Sequence, residues 1–352
     1  MKNRERFLNT MNFKPVDRLP MVEWAGWWDK TIHRWKEEGL PKDLEDAGEI
    51  REVLGLDAMR QWWIGAKKST FPVPEEYGKG AVSDRTSYVR VKEHLYPEET
   101  FDRNTVAQWA AQQKRGDMVV WITLEGFFWF PRTLFGIEAH LYAFYDRAEV
   151  MHAMNRDVLE HNLRALDRFC EVCVPDFMIF AEDMSYNHGP MISKPLFDEF
   201  MAPYYRYRQI VPRLKEYGII PLVDTDGNIE SMASWLTEVG VEGFLPLERQ
   251  SGIDLLRLRR EHPGLKMIGG YDKMVMRKGE AAMRAEFERI LPVMRQGGYV
   301  PSVDHQTPPE VSLENYRIYL KLLSEYCHKA ARSSSVTINR PATCTKPSEL
   351  GC

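Results

Sequence analysis

Short apolar runs alternate with longer helical patterns between residues 115 and 330 of this 352-residue chain. The runs have strand length, and the segments between them are long enough to cross back over a sheet. Repeated βα units of this kind predict a parallel sheet covered by helices. The predicted strands in this region are Met118–Leu124, Phe177–Ala181, Ile219–Val223, Val241–Pro246, Lys266–Ile268 and Tyr299–Val303.

Two further runs in the first 115 residues, Leu19–Glu23 and Ala58–Ile64, complete a set of eight. The pattern therefore predicts an α/β fold, a (β/α)8 TIM-type barrel. Val89–Tyr96 resembles part of a β-hairpin.

Two of the predicted helices carry end signals. Asp146 followed by Glu149 is typical of a capping-box variant at a helix start. Ser193 and Pro195 predict the start of a second helix, and Gly218 predicts its end.

The tryptophans are concentrated near the N-terminus: nine of the ten lie within residues 1–130. One interpretation is core packing between an N-terminal helical extension, residues 1–60, and the barrel. The other is an aromatic wall for a flat ligand, formed by Trp24, Trp27 and Trp28.

We expect residues 1–330 to form one barrel domain. Residues 331–352 are rich in Ser, Thr and Pro and lose all periodicity, which predicts a flexible tail.

Composition narrows the class of protein. A net charge of −4 gives no drive towards nucleic acid, and no apolar run is long enough to span a membrane. The N-terminus lacks the apolar core of a signal peptide, so we expect a cytoplasmic protein without a disulfide framework. We interpret the Cys170-x-x-Cys173 pair as core packing rather than as a redox or zinc motif.

Acidic residues follow most of the predicted strands, where a barrel gathers its active-site side chains. Clustered carboxylates repel each other unless a cation is bound or some of them are protonated. Asp224 and Asp226, together with a glutamate and His305, are ligand types that suit zinc or another divalent ion. The polar strand ends are Glu125, Glu182–Asp183, Asp224–Asn228, Glu248, Tyr271–Lys273 and Asp304–Gln306.

Structural explanations for the same residues stay open. Asp226 before Gly227 is also typical of a turn or a helix cap. His305 could instead fix the conformation of its own loop. Glu182 and Asp183 could instead cap the loop that follows them.

Several motifs together resemble the uroporphyrinogen-decarboxylase superfamily over about residues 1–330. The resemblance implies a barrel with one of two activities, cofactor-free decarboxylation of uroporphyrinogen III or methyl transfer to or from corrinoid proteins at a zinc site. The motifs are Asn3–Leu8 with Asp17–Pro20, Gly189–Ser193 with Phe197–Phe200, Asp224–Ile229, Ile268–Lys273 and Gly297–His305.

One departure from the family pattern favours the methyltransferase-like branch. The decarboxylases carry an arginine-rich N-terminal segment for the many carboxylates of their substrate, and the matching stretch here, Met21–Trp28, has no arginine. The thiol methyltransferases of the superfamily use His-x-Cys and Cys ligands, and Asp224-x-Asp226 and His305 stand at those positions. Such a hard ligand set suits the polarisation of an ether oxygen.

The resemblance thus implies a metal-dependent methyltransferase that moves a methyl group from an O-methylated small molecule to a corrinoid (cobalamin-type) protein. Aromatic methyl ethers are among the expected donors. The corrinoid would come from a partner protein, and family members often form homodimers. Glu248 is the expected fourth metal ligand beside Asp224, Asp226 and His305. The expected catalytic residues are Asp183, Tyr186 and Asp226, and the expected substrate-binding residues are Trp24, Trp27, Trp28, Glu182 and Tyr271.

Two alternatives remain. The first is a decarboxylase for a tetrapyrrole or another carboxylate, in which Asp183 or Asp226 stabilises a protonated pyrrole without metal. The second is a non-catalytic binder of tetrapyrroles or of corrinoid proteins.

Overall fold

A computed structural model describes residues 1–74, 76–206 and 209–331. It shows a mixed α/β architecture in which seven parallel strands form a curled sheet in the order β1-β2-β3-β6-β7-β8-β9, beside a small antiparallel β4-β5 hairpin. The predicted TIM-type fold is confirmed. The strands are β1 (Met59–Ile64), β2 (Val119–Glu125), β3 (Phe177–Ala181), β4 (Ser185–Tyr186), β5 (Gly189–Pro190), β6 (Ile220–Asp224), β7 (Gly243–Leu245), β8 (Lys266–Tyr271) and β9 (Tyr299–Val303).

Helices cover the outer face of this sheet and close one of its ends. Short 3₁₀ turns occupy Lys92–His94, Arg249–Ser251 and Lys273–Lys278. The α-helices are α1 (Asn3–Met11), α2 (Asp29–Glu37), α3 (Ala47–Val53), α4 (Arg85–Val91), α5 (Arg103–Arg115), α6 (Trp129–Phe135), α7 (Ile137–Asp146), α8 (Ala148–Cys170), α9 (Lys194–Phe200), α10 (Ala202–Tyr205), α11 (Ile210–Glu216), α12 (Ala233–Glu238), α13 (Leu255–Glu261), α14 (Glu280–Met294) and α15 (Leu313–Ala331).

The strand register aligns the C-terminal ends of the central strands. Glu125 pairs with Ala181, Ala181 with Asp224, and Asp224 with Leu245. Because all of these strands run parallel, the residues that follow them meet at one mouth of the sheet.

Helix α1 closes the opposite end. Phe7 and Met11 are fully buried among the inward-facing side chains of the strands. The Phe7 ring stacks on the Phe177 ring at 5.2 Å, and Phe177 stacks on Trp121 at 5.1 Å. Burying a phenylalanine side chain contributes roughly 1.5–3 kcal/mol to the free energy of unfolding. Helix α1, which we call the plug, therefore stabilises the inner core directly.

The segment 19–27 lies in the gap between the edge strands β1 and β9. Asp57 N donates to Met21 O at 2.8 Å, and Trp24 Nε1 donates to Val303 O at 2.9 Å. Leu19–Glu23 was predicted as a strand, but the structure does not form one there. Pro20 has no N–H to donate, and the Met21 N–H is taken by the Asp57 carboxylate at 3.0 Å, so a regular ladder cannot form.

The predicted hairpin over Val89–Tyr96 is wrong, because α4 and a 3₁₀ turn occupy this region. Asp84 and Ser87 form a reciprocal capping box, with Ser87 N donating to Asp84 Oδ1 at 2.8 Å and Asp84 N donating to Ser87 Oγ at 3.0 Å. This cap starts a helix where the β-branched composition alone favours a strand.

The predicted helix starts are only partly reproduced. Helix α8 forms, but its N-cap is Arg147 and carries no side-chain cap hydrogen bond, so the capping box at Asp146 is wrong. The second predicted helix starts after Ser193 and is divided into α9, α10 and α11. Gly218, at φ of 75°, ends it as expected.

The core-packing interpretation of the Cys-x-x-Cys pair agrees with the structure. Both thiols are free, Cys173 is buried, and its Sγ donates to Gln113 Oε1 at 3.3 Å. Burial raises the pKa of both thiols to about 12, which disfavours the reactive thiolate.

Two other expectations concern the chain as a whole. Across residues 1–74, 76–206 and 209–331, no helix has the length and apolar character needed to cross a bilayer. The predicted tail lies outside the described residues except for Ala331.

Candidate active site

Four predicted site residues lie together at the mouth of the sheet, with Glu248 beside them. Asp224 ends β6, Asp226 lies two residues further on, and Asp183 follows β3. His305, which follows β9, places its Nε2 3.8 Å from Asp226 Oδ1. The Trp24 ring meets the His305 ring edge-on at 6.3 Å between centroids. Residues far apart in the sequence therefore share one basin, as the barrel prediction required.

Asp224 and Asp226 favour their protonated forms, because both have a raised pKa. Burial raises the pKa of Asp226 to about 7, and the negative charges of Glu248 and Asp183 add to the effect. The pKa of Asp224 lies well above its ordinary value for the same first reason, followed by repulsion from Asp226. At neutral pH the cluster therefore retains protons that isolated aspartates would release.

The pKa of His305 is lowered from its ordinary value. Burial lowers its pKa, and the nearby Lys273 ammonium lowers it further, while Glu248 and Asp183 oppose the shift. The imidazole is therefore favoured in its neutral form, which can accept a proton or bind a metal ion.

Two cations to which the sequence analysis assigned no role balance the acids. Arg132 Nη1 donates to Asp183 Oδ2 at 2.9 Å and to Asp183 O at 3.1 Å. Lys273 Nζ lies 3.3 Å from Asp304 Oδ1 and 3.9 Å from Glu248 Oε1. Lys273 lies two residues after β8, so its place among the polar residues after a predicted strand was a usable signal. Arg132 sits inside α6, and no sequence pattern marked it.

The hydrogen bonds that hold the loop after β6 do not use the Asp226 carboxyl; Ser185 Oγ donates to the Asp226 carbonyl instead. Gly227 N donates to Glu248 Oε2 at 3.0 Å, and Asn228 Oδ1 accepts from Glu230 N at 3.0 Å. Gly227 has φ of 84°, and a Cβ there would lie 2.6 Å from the Tyr186 backbone, so only glycine fits. The turn therefore leaves the Asp226 carboxyl directed at His305.

Tyr186, an expected proton donor, lies on the β4-β5 hairpin and is half exposed. Its ring contacts the His188 ring at 5.6 Å, and its carbonyl accepts from Asn228 N at 2.9 Å. The backbone of Tyr186 thus supports the Asp226 loop.

Glu182 and Tyr271, two of the expected substrate-binding residues, are buried inside the fold. Glu182 is fully buried and accepts from Phe127 N at 2.8 Å, from Phe128 N at 2.7 Å and from the Tyr205 hydroxyl. Tyr271 is also fully buried, and its hydroxyl donates to Met283 O at 3.3 Å. Their expected role in substrate binding stays a prediction, since in this structure the polar groups of both side chains bond to neighbouring parts of the fold.

The three tryptophans of the predicted aromatic wall separate. Trp24 and Trp27 are buried and line a cavity of about 670 Å³ between segment 19–27, α2, α3 and β1, which we call the seam cavity. Trp28, 49% exposed, precedes α2 on the surface. Trp24 contacts His305 as well, so the seam cavity adjoins the acidic basin.

The predicted metal site has suitable donor types but not a suitable placement. No three His, Cys, Asp or Glu side chains in the described part of the chain come close enough together to hold a metal ion. Asp226 and His305 are in contact. Glu248 instead accepts a hydrogen bond from Gly227 N and forms an ion pair with Lys273. The four-ligand set Asp224, Asp226, Glu248 and His305 therefore stays a prediction, and we derive no chemical step through a metal.

A curled parallel sheet with its polar residues gathered at the C-terminal ends of the strands defines an α/β protein of the TIM-barrel type. The family model described as Uroporphyrinogen decarboxylase (URO-D) matches residues 131–326, more than half of the chain. The protein belongs to this family.

Two solved structures are similar to this chain at low sequence identity, and the first of them shares its fold. A methyltransferase from Methanosarcina mazei superposes with a TM-score of 0.64 and 14% identity, over 93% of this chain and 99% of that one. A B12-independent methionine synthase from Shewanella sp. W3-18-1 has a TM-score of 0.45 and 12% identity, over 90% of this chain and 99% of that one. No curated protein sequence gives a significant match.

Proposed function

We propose that this protein is a methyltransferase that takes a methyl group from an O-methylated small molecule, such as an aromatic methyl ether. It passes the methyl group to a corrinoid carried by a partner protein. The observation that carries the proposal is the meeting of Asp226, Asp224 and His305 in one partly protonated basin. Membership in the URO-D family and the fold shared with a methyltransferase support it.

The chemistry of ether cleavage requires a proton donor. When a methyl group leaves an ether, the electron pair of the C–O bond stays on oxygen, and the oxygen must gain a proton. A reduced corrinoid supplies the cobalt nucleophile that accepts the methyl group. The residues of this chain must hold the ether and deliver the proton.

Of the three expected catalytic residues, Asp226 is the best placed to donate this proton. Its pKa of about 7 keeps a proton available at neutral pH. Burial also raises the pKa of Asp183, but its ion pair with Arg132 opposes the shift and favours the carboxylate. Tyr186 is half exposed on the hairpin. His305, favoured as neutral imidazole, would accept a hydrogen bond from the protonated Asp226 or from the released hydroxyl.

The assay uses cobalamin reduced to Co(I) as the corrinoid and a panel of methoxylated aromatic compounds, with methylcobalamin formation followed by absorbance. Asp226→Asn is expected to lower the rate about 10²–10⁴-fold. The control, Glu310→Gln, changes an exposed acid near His305 in sequence and should retain the wild-type rate. An Asp226→Asn variant with the wild-type rate would remove the proposed proton donor.

The pH profile tests the same role independently. Because only the protonated acid donates, the rate should fall as pH rises through about 7. A rate that rises over this range would assign the proton transfer to another group.

Decarboxylation is the second candidate, and the description of the matching family model favours it. In that reaction Asp183 or Asp226 would stabilise a protonated pyrrole. Incubation with a tetrapyrrole carboxylate and detection of released CO₂ distinguishes the two reactions. Binding of a tetrapyrrole or of cobalamin without turnover of either kind would identify a non-catalytic binder.

A further inference from the structure

The seam cavity has no assigned role in the fold or in the proton transfer proposed above. It lies at the open edge of the sheet, between β1 and segment 19–27, and its volume of about 670 Å³ suits a small organic ligand. Trp24 and Gln306 line it and also flank His305, so a ligand there extends towards the acidic basin.

Aromatic side chains form much of its wall. Trp24 and Trp27 contribute from segment 19–27, and Trp62 and Trp109 contribute from the opposite side with their rings 5.7 Å apart. Indole faces bind flat aromatic rings well, because stacking adds to the burial of apolar area.

Arg51 of α3 presents a fixed cation to this cavity. Its Nε donates to Glu23 O at 2.9 Å, and its guanidinium lies 5.7 Å from the centre of the Trp27 ring. In the described residues its two terminal nitrogens donate no hydrogen bond of their own, and Arg51 lines the cavity. A guanidinium held through Nε leaves its fork available for a planar anion such as a carboxylate.

The neighbouring charges do not occupy this fork. Lys36 is paired with Glu45 at 2.7 Å, and Arg60 is paired with Glu52 at 2.9 Å. The Glu23 carboxyl, behind Arg51, accepts instead from Ser302 Oγ at 2.8 Å and from the Tyr316 hydroxyl at 3.0 Å.

Two other acids line the cavity. Asp46 accepts from Glu49 N at 3.0 Å as the cap of α3, and Asp29 is exposed at the start of α2. Arg51 is thus the cation of the cavity whose fork is open to a ligand.

We infer that the seam cavity binds an aromatic monocarboxylate, with its ring between the tryptophans and its carboxylate on Arg51. The inference rests on the proposed methyl transfer only in naming this ligand as the methyl donor, a methoxylated aromatic acid. Arg51 also explains how a segment without arginine can serve an anionic substrate, because the cation comes from α3. A single open guanidinium fits one carboxylate and not the eight of uroporphyrinogen.

The test compares 4-methoxybenzoate with the neutral 4-methoxybenzamide by calorimetry and tryptophan fluorescence, on the full chain without any corrinoid. Wild-type protein is expected to bind the acid at least about tenfold more tightly than the amide. Arg51→Met should weaken binding of the acid about 10–100-fold, the value of a lost charged hydrogen-bond pair, and leave the amide nearly unchanged. Arg90→Met, at an exposed arginine of α4 outside the cavity lining, is the control and should change neither ligand by more than about twofold.

Arg51→Lys covers the case in which Arg51→Met fails to fold, since it retains the charge but loses the fork and should give an intermediate affinity for the acid. The inference would be overturned by equal affinity for acid and amide, by no binding of either, or by equal losses in the Arg51 and Arg90 variants. Demethylation of methoxylated aromatic acids at the wild-type rate by Arg51→Met would overturn it too, yet leave the proposed methyl transfer intact. Binding of the acid with the expected Arg51 dependence but no methyl transfer would instead reject the proposed function alone.

Discussion

Replacing Glu23 with glutamine should change how the stability of this protein depends on pH. Glu23 is fully buried in the closing segment 19–27, where its carboxyl accepts hydrogen bonds from Ser302 and Tyr316. Burial raises its pKa from the ordinary 4.5 to about 7, although both hydrogen bonds and the charge of Arg51 oppose the shift. Glutamine has the same shape and cannot ionise, so it isolates the contribution of the charge.

The sign follows from proton uptake in the two states. Below about pH 4.5 the carboxyl is protonated in both the folded and the unfolded chain, and ionisation costs nothing. Between about 4.5 and 7 it is protonated when folded and ionised when unfolded, so the folded state binds more protons and stability falls as pH rises. Above about pH 7 the group is ionised in both states and the loss is complete.

The size of this loss follows from the shift itself. A pKa raised from 4.5 to about 7 corresponds to about 3 kcal/mol of unfolding free energy. Relative to wild type, Glu23→Gln should therefore gain about 3 kcal/mol in stability between pH 4.5 and pH 8.

Urea unfolding followed by circular dichroism, at half-unit pH steps, measures the difference. The control Glu314→Gln removes an exposed carboxyl from α15, the helix that carries Tyr316, and should give a curve parallel to wild type. Parallel curves for wild type and Glu23→Gln would show that the Glu23 carboxyl is already ionised in the folded protein, and would refute the reasoning.

Three further predictions concern the plug, the loop anchor and the metal. Phe7→Ala should cost about 3–5 kcal/mol because it opens a cavity in the inner core; a calorimetric scan with an unchanged midpoint would contradict the role of α1. Glu182→Gln should cost about 1–3 kcal/mol in urea unfolding, since the amide accepts fewer of the N–H groups at Phe127 and Phe128; unchanged stability would show that these bonds are dispensable. If the four-ligand hypothesis is correct, elemental analysis will find stoichiometric divalent metal in wild type and none in His305→Ala; an active wild type without metal would reject it.

Much of the fold could be predicted because its signals are local. Phe177–Ala181 and Tyr299–Val303 were predicted with the bounds that the structure has, since buried parallel strands appear as short apolar runs between turns. Val89–Tyr96 failed because a two-residue capping box outweighed its β-like composition. The strand predicted at Leu19–Glu23 does not form because the backbone of this segment bonds to Asp57, Cys327 and Arg51 rather than to a neighbouring strand.

The candidate site likewise has features that could be predicted from the sequence and features that could not. The acids at strand ends were visible because a parallel barrel sends every strand end to one mouth, and the meeting of Asp226 with His305 followed from that rule. The rule does not say which acids stay free. Glu182 turned back to bind backbone N–H groups, while Asp183, its neighbour in sequence, reached the basin and paired with Arg132.

The sequence by itself determined the alternation of strands and helices, the acidic character of the mouth and the family to which the chain belongs. These depend on periodicity and on residue type, which are properties of neighbours along the chain. Only the tertiary structure decided that α1 closes the inner core, that Arg132 and Lys273 balance the acids, and that Arg51 enters a cavity beside tryptophans remote from it in sequence. Burial, pKa and ion pairing depend on distances through space, and packing fixes those distances only when the whole barrel closes.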